Sequence, residues 1–212
     1  MCKRLHYSRK VEGTPTVKNG HVRMGIRNQL AAIQRGFEIV ISFPEWRNTT
    51  IILGESHPED CAACSAQKRP ESAYINCPLF AAYTAAILNQ IDTLASQGHV
   101  NFQGALAWSF EFESQPHFAG FRELATNGID KPVLNAFRML GQLSGRRLAV
   151  KSAGAVPADE ILKAGVRGHP DVKAIATRRE GEITILVWNY HDDDVPAIAT
   201  LVKLSVREYS RQ

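Results

Sequence analysis

The chain has 212 residues, of which 44% are hydrophobic and 22% charged, a composition typical of globular proteins. Its 25 lysines and arginines exceed its 21 aspartates and glutamates by a formal charge of only +4. The basic residues occur singly or in pairs rather than in runs, so we expect no nucleic-acid partner. No stretch approaches the ~18 apolar residues of a membrane span, so we expect no membrane partner either.

Helix and strand patterns alternate through the first two thirds of the chain. Residues 25–43 predict an amphipathic helix, because apolar side chains recur at steps of four and three until Pro44 ends the pattern. Residues 50–54 are a short β-branched apolar run, which is typical of a buried parallel strand. Residues 79–97 then predict a second helix.

A second buried strand is predicted over residues 104–110, and a third helix over residues 132–143 with Pro132 at its first position. This alternation favours an α/β architecture with a parallel sheet. Two buried strands do not make a stable sheet, and a closed (β/α)8 barrel has roughly 250 residues. The pattern therefore indicates a piece of a larger structure.

Only strand patterns follow Gly145. They cover residues 172–178, 182–189 and 198–206, and Glu180-Gly181 has the composition of a hairpin turn between the first two. We therefore expect two domains, an α/β part over residues 1–147 and a small β domain over residues 148–212.

Carboxylates follow both predicted parallel strands. Glu55 comes directly after the apolar run, and Glu111 and Glu113 alternate with aromatic residues that include Trp108. Catalytic groups gather at the carboxyl ends of such strands, and aromatic rings stack on sugars while carboxylates accept bonds from their hydroxyls. The alternatives are a Glu55 that caps the next turn and an aromatic core strand with a solvated acidic end. Together the two segments point to a carbohydrate site.

Five segments resemble glycoside hydrolase family 39, and in particular its bacterial β-xylosidase-like members. They are residues 20–30, 51–64, 104–113, 118–137 and 188–196. The resemblance implies the last strands and helices of a TIM barrel, followed by an incomplete β-sandwich. It also implies a retaining glycoside hydrolase that acts on a xyloside or a related glycan without a cofactor.

The resemblance assigns roles to individual residues. Glu55 matches the nucleophile at the end of barrel strand seven, and Trp108 matches a sugar-stacking position at the end of strand eight. Glu111 and Glu113 match substrate-contacting carboxylates. His6 and Tyr7 match the end of strand six, which brings such side chains toward the nucleophile.

The chain departs from the family mainly at the acid/base, the second carboxyl group that the reaction needs. The family's acid/base is a Glu that follows an Asn at the end of strand four, and no Asn-Glu pair occurs in the chain. Strands one to five have no counterpart, and His57 stands where an acidic residue is expected. We therefore expect a fragment with the nucleophile but without the acid/base. The alternative is a non-catalytic product of truncation or of a split gene, which binds carbohydrate or a partner chain.

Partners and compartment follow from the fragment interpretation. The missing N-terminal half of the barrel, or a second copy of the chain, would cover the surfaces that a partial barrel exposes. The basic first twenty residues lack the apolar core of a signal peptide. We therefore expect no signal peptide in this chain, and localisation stays open, since a parent protein could be secreted or periplasmic.

The cysteines and acidic clusters give no metal prediction. Cys61 and Cys64 form the one close pair, without a second pair or a histidine pair to complete a zinc site. The pair could be free or disulfide-bonded, and a bridge from Cys77 to either member stays open. We interpret residues 192–194, three consecutive aspartates, as a turn rather than a calcium loop.

Overall fold

The computed structural model describes residues 3–5, 15–56, 58, 64–107, 116–118, 124–195 and 199–206. In chain order these residues form β1 (Lys3–Leu5), β2 (Thr16–Lys18), β3 (His21–Arg23), α1 (Ile26–Ser42), β4 (Ile51–Leu53), α2 (Pro78–Gln97), β5 (Phe102–Ala105), β6 (Ala125–Thr126), β7 (Ile129–Asp130), α3 (Pro132–Gly141), β8 (Arg146–Leu148), α4 (Ala158–Ala164), β9 (Asp171–Arg179) and β10 (Glu182–Tyr190). Short 3-10 helices cover Pro44–Trp46 and Pro70–Asn76.

A parallel sheet forms the first layer, with the strand order β1-β4-β5. Helix α1 lies between β1 and β4 in the chain, and α2 lies between β4 and β5. Leu53 pairs with Leu5 on one side and with Ala105 on the other. The carboxyl ends of the three strands are therefore level, and the predicted α/β architecture with a parallel sheet is confirmed. The closed barrel to which such a sheet could belong stays a proposal.

The helices form where the apolar periodicity predicts them. Helix α1 buries one face, which consists of Ile26, Leu30, Ile33, Gly36 and Phe37. Helix α2 starts with Pro78 at its first position and has buried residues on all sides, because it packs against α1, α3, β5, β9 and β10. None of the helices in the described ranges is long and apolar enough to cross a membrane.

A three-stranded antiparallel sheet with the order β10-β9-β8 forms the second layer. The predicted hairpin is confirmed, since Glu180 and Gly181 both have positive φ, 53° and 93°, as a two-residue primed turn requires. The predicted strand over residues 198–206 is wrong for residues 199–206, which form no strand and are exposed, with Leu201 at 92%. Apolar alternation favours a strand only where a neighbouring strand is free to pair with it.

The third strand of this sheet is β8, which the sequence pattern did not predict. It follows Gly145, whose φ is +81° and where a Cβ would lie 2.4 Å from the backbone oxygen of Arg178. Glycine is therefore required for the close approach that brings Arg146 opposite Arg178. Helix α4, within the region predicted as strands only, packs against α1.

One hydrophobic core runs through both layers. It joins Ile26 and Leu30 of α1 and Ile91 of α2 to Trp188 and Tyr190 of β10. The division into domains at residues 147 and 148 stays a prediction. The predicted β-sandwich likewise stays a prediction, since the described residues beyond residue 145 form one three-stranded antiparallel sheet.

The aspartate stretch after β10 ties the second layer to β3. The carboxylate of Asp192 is fully buried and accepts bonds from the Tyr190 hydroxyl at 2.7 Å and the Val166 backbone N–H at 3.1 Å. Its backbone oxygen accepts a bond from the Met24 N–H at 2.7 Å. Asp193 forms a two-bond ion pair with Arg23, which holds the pKa of this aspartate below its ordinary value.

The buried carboxylate predicts a specific pH dependence of stability. Burial raises the pKa of Asp192 to about 6, whereas an unfolded aspartate has a pKa of about 3.9. The folded state therefore binds the proton more tightly, and the free energy of unfolding falls as pH rises from about 4 to about 6. The expected fall is about 2–3 kcal/mol, since one pKa unit corresponds to about 1.4 kcal/mol.

Urea unfolding across this pH window measures the effect. In Asp192→Asn the group does not titrate, so the corresponding fall in the free energy of unfolding should disappear, whatever the variant's stability at a single pH. Equal slopes for the native chain and Asp192→Asn would contradict the assignment.

Candidate functional site

Glu55 lies at the carboxyl end of the parallel sheet, two residues after β4. Backbone pairing between the β4 and β5 segments continues past both strands. The Leu106 N–H donates to the Leu53 oxygen at 2.9 Å, and the Ser56 N–H donates to the Leu106 oxygen at 2.6 Å. The backbone on both sides of Glu55 is therefore held by the neighbouring segment.

Ser56 links the segment that follows β4 to the helices. The Ser56 hydroxyl accepts a bond from the Gln29 side chain of α1 at 2.8 Å, so Ser56 points toward the helices. Gly54 forms a bend between β4 and Glu55, so the alternation of faces along the strand does not extend to Glu55. Glu55 is half-buried. A half-buried carboxylate at this edge is accessible to a ligand.

Gln29 is itself held by α2. The Tyr83 hydroxyl donates to the side-chain oxygen of Gln29. Tyr83 is 1% exposed, and burial raises the pKa of its phenol well above the ordinary value. Its ring packs edge-on against Tyr190 of β10, with ring centroids 5.7 Å apart. A continuous series of contacts thus runs from the second layer to the residue beside Glu55.

A small cavity lies on the helix side of this edge, with a volume of about 20 Å³. It is lined by Ser56, Phe80, Tyr83, Thr84, Ile87, Leu88, Ala105, Leu106, Ala107 and Phe137. That volume holds about one water molecule and is too small for a sugar ring.

The other predicted site residues lie outside the described residues. They are His6, Tyr7, Trp108, Glu111 and Glu113, together with His57. The described strands that precede them, β1 and β5, end level with β4. Their assembly with Glu55 stays a prediction that rests on this alignment of strand ends.

Gln29 and Tyr83 were missed by the sequence analysis, although one signal for Gln29 exists. Gln29 lies one turn from Ile26 and Ile33, on the face of α1 that packs into the core. A polar residue within an apolar stripe needs a hydrogen-bond partner. Tyr83 carries no such signal, because a tyrosine on an apolar helix face is ordinary core packing.

The cysteines separate into two states. Cys64 is disulfide-bonded and Cys77 is a free thiol, so the bridge between these two that the sequence left open is excluded. The Cys77 thiol donates to the Tyr74 backbone oxygen at 3.3 Å, and burial raises its pKa above the ordinary value. Among the described residues, no group of three or more His, Cys, Asp or Glu side chains could hold a metal ion.

Comparison with known proteins gives one match. The family model described as glycosyl hydrolases family 39 matches residues 4–200. Neither curated proteins nor solved structures gave a match.

The free thiol gives a prediction for chemical labelling. Since the thiolate is the nucleophile, the raised pKa of Cys77 should make its alkylation slower at neutral pH than that of a small thiol such as cysteine itself. Peptide mapping after iodoacetamide treatment measures the rate at Cys77. Cys64 serves as the internal control and should label only after reduction. Rapid labelling of Cys77 at neutral pH would contradict the buried environment.

Proposed function

Since the chain belongs to glycosyl hydrolase family 39, we propose that it supplies the nucleophile half of a retaining β-xylosidase, with Glu55 as the nucleophile. In such a reaction the carboxylate attacks the anomeric carbon, and a glycosyl-enzyme ester replaces the bond to the leaving group. Water then hydrolyses the ester with overall retention of configuration.

The position of Glu55 carries the proposal. It lies at the carboxyl end of a parallel sheet, where barrel enzymes hold their catalytic groups, and its backbone neighbours are bonded to the adjacent segment. We propose that β1, β4 and β5 are the last three strands of a barrel. Trp108, Glu111, Glu113, His6 and Tyr7 would then complete the sugar-binding edge, with Trp108 stacking on the ring.

The acid/base is the missing half of the proposed reaction. Retention needs two carboxyl groups about 5–5.5 Å apart, the second of which protonates the leaving oxygen. The chain has no Asn-Glu pair to match the family's acid/base. General acid catalysis contributes typically 10²–10⁴ in rate, so natural glycosides should be very poor substrates for the isolated chain.

The absence of the Asn-Glu pair also favours the second candidate, a non-catalytic remnant that binds carbohydrate or a partner chain. The DNA upstream of the coding sequence discriminates between the two. If it encodes five barrel strands with an Asn-Glu pair, the enzyme is split into two chains. If it encodes nothing of the kind, the remnant interpretation is favoured.

Leaving-group dependence tests the role of Glu55. A dinitrophenyl xyloside needs little protonation to depart, so the isolated chain should hydrolyse it slowly while leaving xylobiose intact. Glu55→Gln should abolish this activity, because the amide cannot form the ester. Glu38→Gln, on the exposed side of α1, is the matched control and should retain it. Release of dinitrophenolate measures both.

Turnover of xylobiose at ordinary enzyme rates would contradict the missing acid/base. Glu111 and Glu113 would then be the first residues to replace. Dinitrophenyl xyloside turnover that survives in Glu55→Gln would instead exclude Glu55 as the nucleophile.

We further propose that the chain associates with a second copy or with the missing barrel half. In the described residues, β1 and β5 are the edges of the parallel sheet, and Leu106 beyond β5 is 55% exposed. Unpaired strand edges beside exposed apolar side chains favour association.

Sedimentation should therefore show oligomers, and Leu106→Glu should shift them toward monomer. A native chain that stays monomeric at all concentrations would contradict the proposal.

A further inference from the structure

Three side chains connect helices α1 and α2 to the residue that follows Glu55. The Tyr83 hydroxyl donates to the Gln29 oxygen, and the Gln29 nitrogen donates to the Ser56 hydroxyl at 2.8 Å. These contacts come from different segments, since Gln29 is 27 residues from Ser56 and 54 from Tyr83. Ser56 is therefore held by contacts to both α1 and, through Gln29, α2.

Gln29 uses both ends of its amide in this series. Burial raises the pKa of the Tyr83 phenol well above its ordinary value, so the hydroxyl keeps its proton and can donate to the Gln29 oxygen. The Gln29 NH₂ group donates to the Ser56 hydroxyl. Removal of either neighbour breaks one of the two bonds that hold the amide.

Tyr83 is in turn held in place by the second layer. Its ring packs edge-on against Tyr190, an arrangement that aromatic pairs prefer. Tyr190 is fully buried and donates its hydroxyl to Asp192 at 2.7 Å. The antiparallel sheet thus limits the movement of Tyr83.

We propose that Gln29 and Tyr83 are positioning residues for Glu55, which hold the adjacent Ser56 on the helix side and thereby limit the movement of the Glu55 carboxylate. The proposal rests on the nucleophile role proposed above for Glu55. Displacement of a reacting group by about 1 Å can cost on the order of 10² in rate. Ser56, the residue after Glu55, is held by two bonds that limit such displacement. Its N–H donates to the Leu106 oxygen, and its hydroxyl accepts from Gln29.

Hydrogen exchange of the segment over residues 51–56 tests the positioning directly. The Ser56 N–H donates to the Leu106 oxygen at 2.6 Å, so its exchange should be slow in the native chain. Gln29→Ala and Tyr83→Phe should accelerate it. Gln29→Glu should keep it slow, because a carboxylate accepts bonds from both hydroxyls.

Tyr190→Phe is the matched control for Tyr83→Phe. Each change removes one buried phenol hydroxyl and keeps the ring, but only the Tyr83 hydroxyl is bonded to Gln29. Tyr190→Phe should lower overall stability without accelerating exchange at Ser56. If Gln29→Ala and Tyr83→Phe exchange no faster at this segment than Tyr190→Phe, the positioning role is overturned.

Covalent labelling of Glu55 provides the chemical readout. With the dinitrophenyl glycoside of a deoxyfluoro-xylose, the carboxylate would form an ester as dinitrophenolate departs, and the fluorine slows hydrolysis of that ester. Intact mass and peptide mapping follow the product. Gln29→Ala should lower the maximal labelling rate about ten- to hundredfold and leave the half-saturating concentration unchanged, with a smaller effect for Tyr83→Phe.

The two readouts separate failure of the inference from failure of the proposed function. If the native chain is not labelled at Glu55, the nucleophile role fails, while the exchange data still decide whether Gln29 and Tyr83 hold Ser56. If native chain and variants label Glu55 at equal rates, the nucleophile role stands and the positioning role is overturned.

Discussion

Helix α2 needs packing partners on every side, because its buried residues include five consecutive ones, Tyr83 to Ile87, which cover a complete turn of the helix. The parallel sheet covers one side through β5, α1 and α3 flank it, and β9 and β10 cover the side toward the second layer. Exposing any of these sides would place apolar surface in water at a cost of about 25 cal/mol per Å². The two layers therefore pack against the same helix.

This shared helix connects the second layer to the segment that carries Glu55. The hydroxyl of Tyr83 reaches Gln29 and its ring reaches Tyr190, so one side chain belongs both to the site and to the interface between layers. Buried polar contacts also hold the second layer together internally. The Trp188 indole N–H donates to Asp171 at 3.0 Å, and the same carboxylate accepts a bond from the Val156 N–H at 2.8 Å. This buried carboxylate therefore joins β9 to β10 and to the segment that precedes α4.

The sequence predicted those features that depend on local patterns. Helices α1, α2 and α3 follow from apolar periodicity and from prolines at helix ends, and the turn at Glu180-Gly181 follows from the backbone freedom of glycine. Strand β8 was missed because its two arginines give no apolar alternation, and residues 199–206 were wrongly predicted as a strand because pairing depends on a distant neighbour. The position of Glu55 at the carboxyl end of β4 was predictable from the apolar strand that precedes it, whereas its role stays a prediction. Its connection to Tyr83 depends on two long-range contacts that no local pattern contains.

Under the proposed function, the position of the nucleophile and the supply of a proton would be separable. Elements β4, β5, α1 and α2, which carry Glu55 and the side chains bonded to its neighbour Ser56, lie within residues 26–106. A partner that supplied the acid/base would therefore not have to reorganise the nucleophile, and would only have to place one carboxyl group about 5–5.5 Å from it. If Glu55 is the nucleophile proposed above, the backbone on both sides of it is already ordered in the folded chain, and a nucleophile on an ordered backbone gains most from proximity. Whether such a partner restores activity would then depend on how it docks on the edge of β1 or β5.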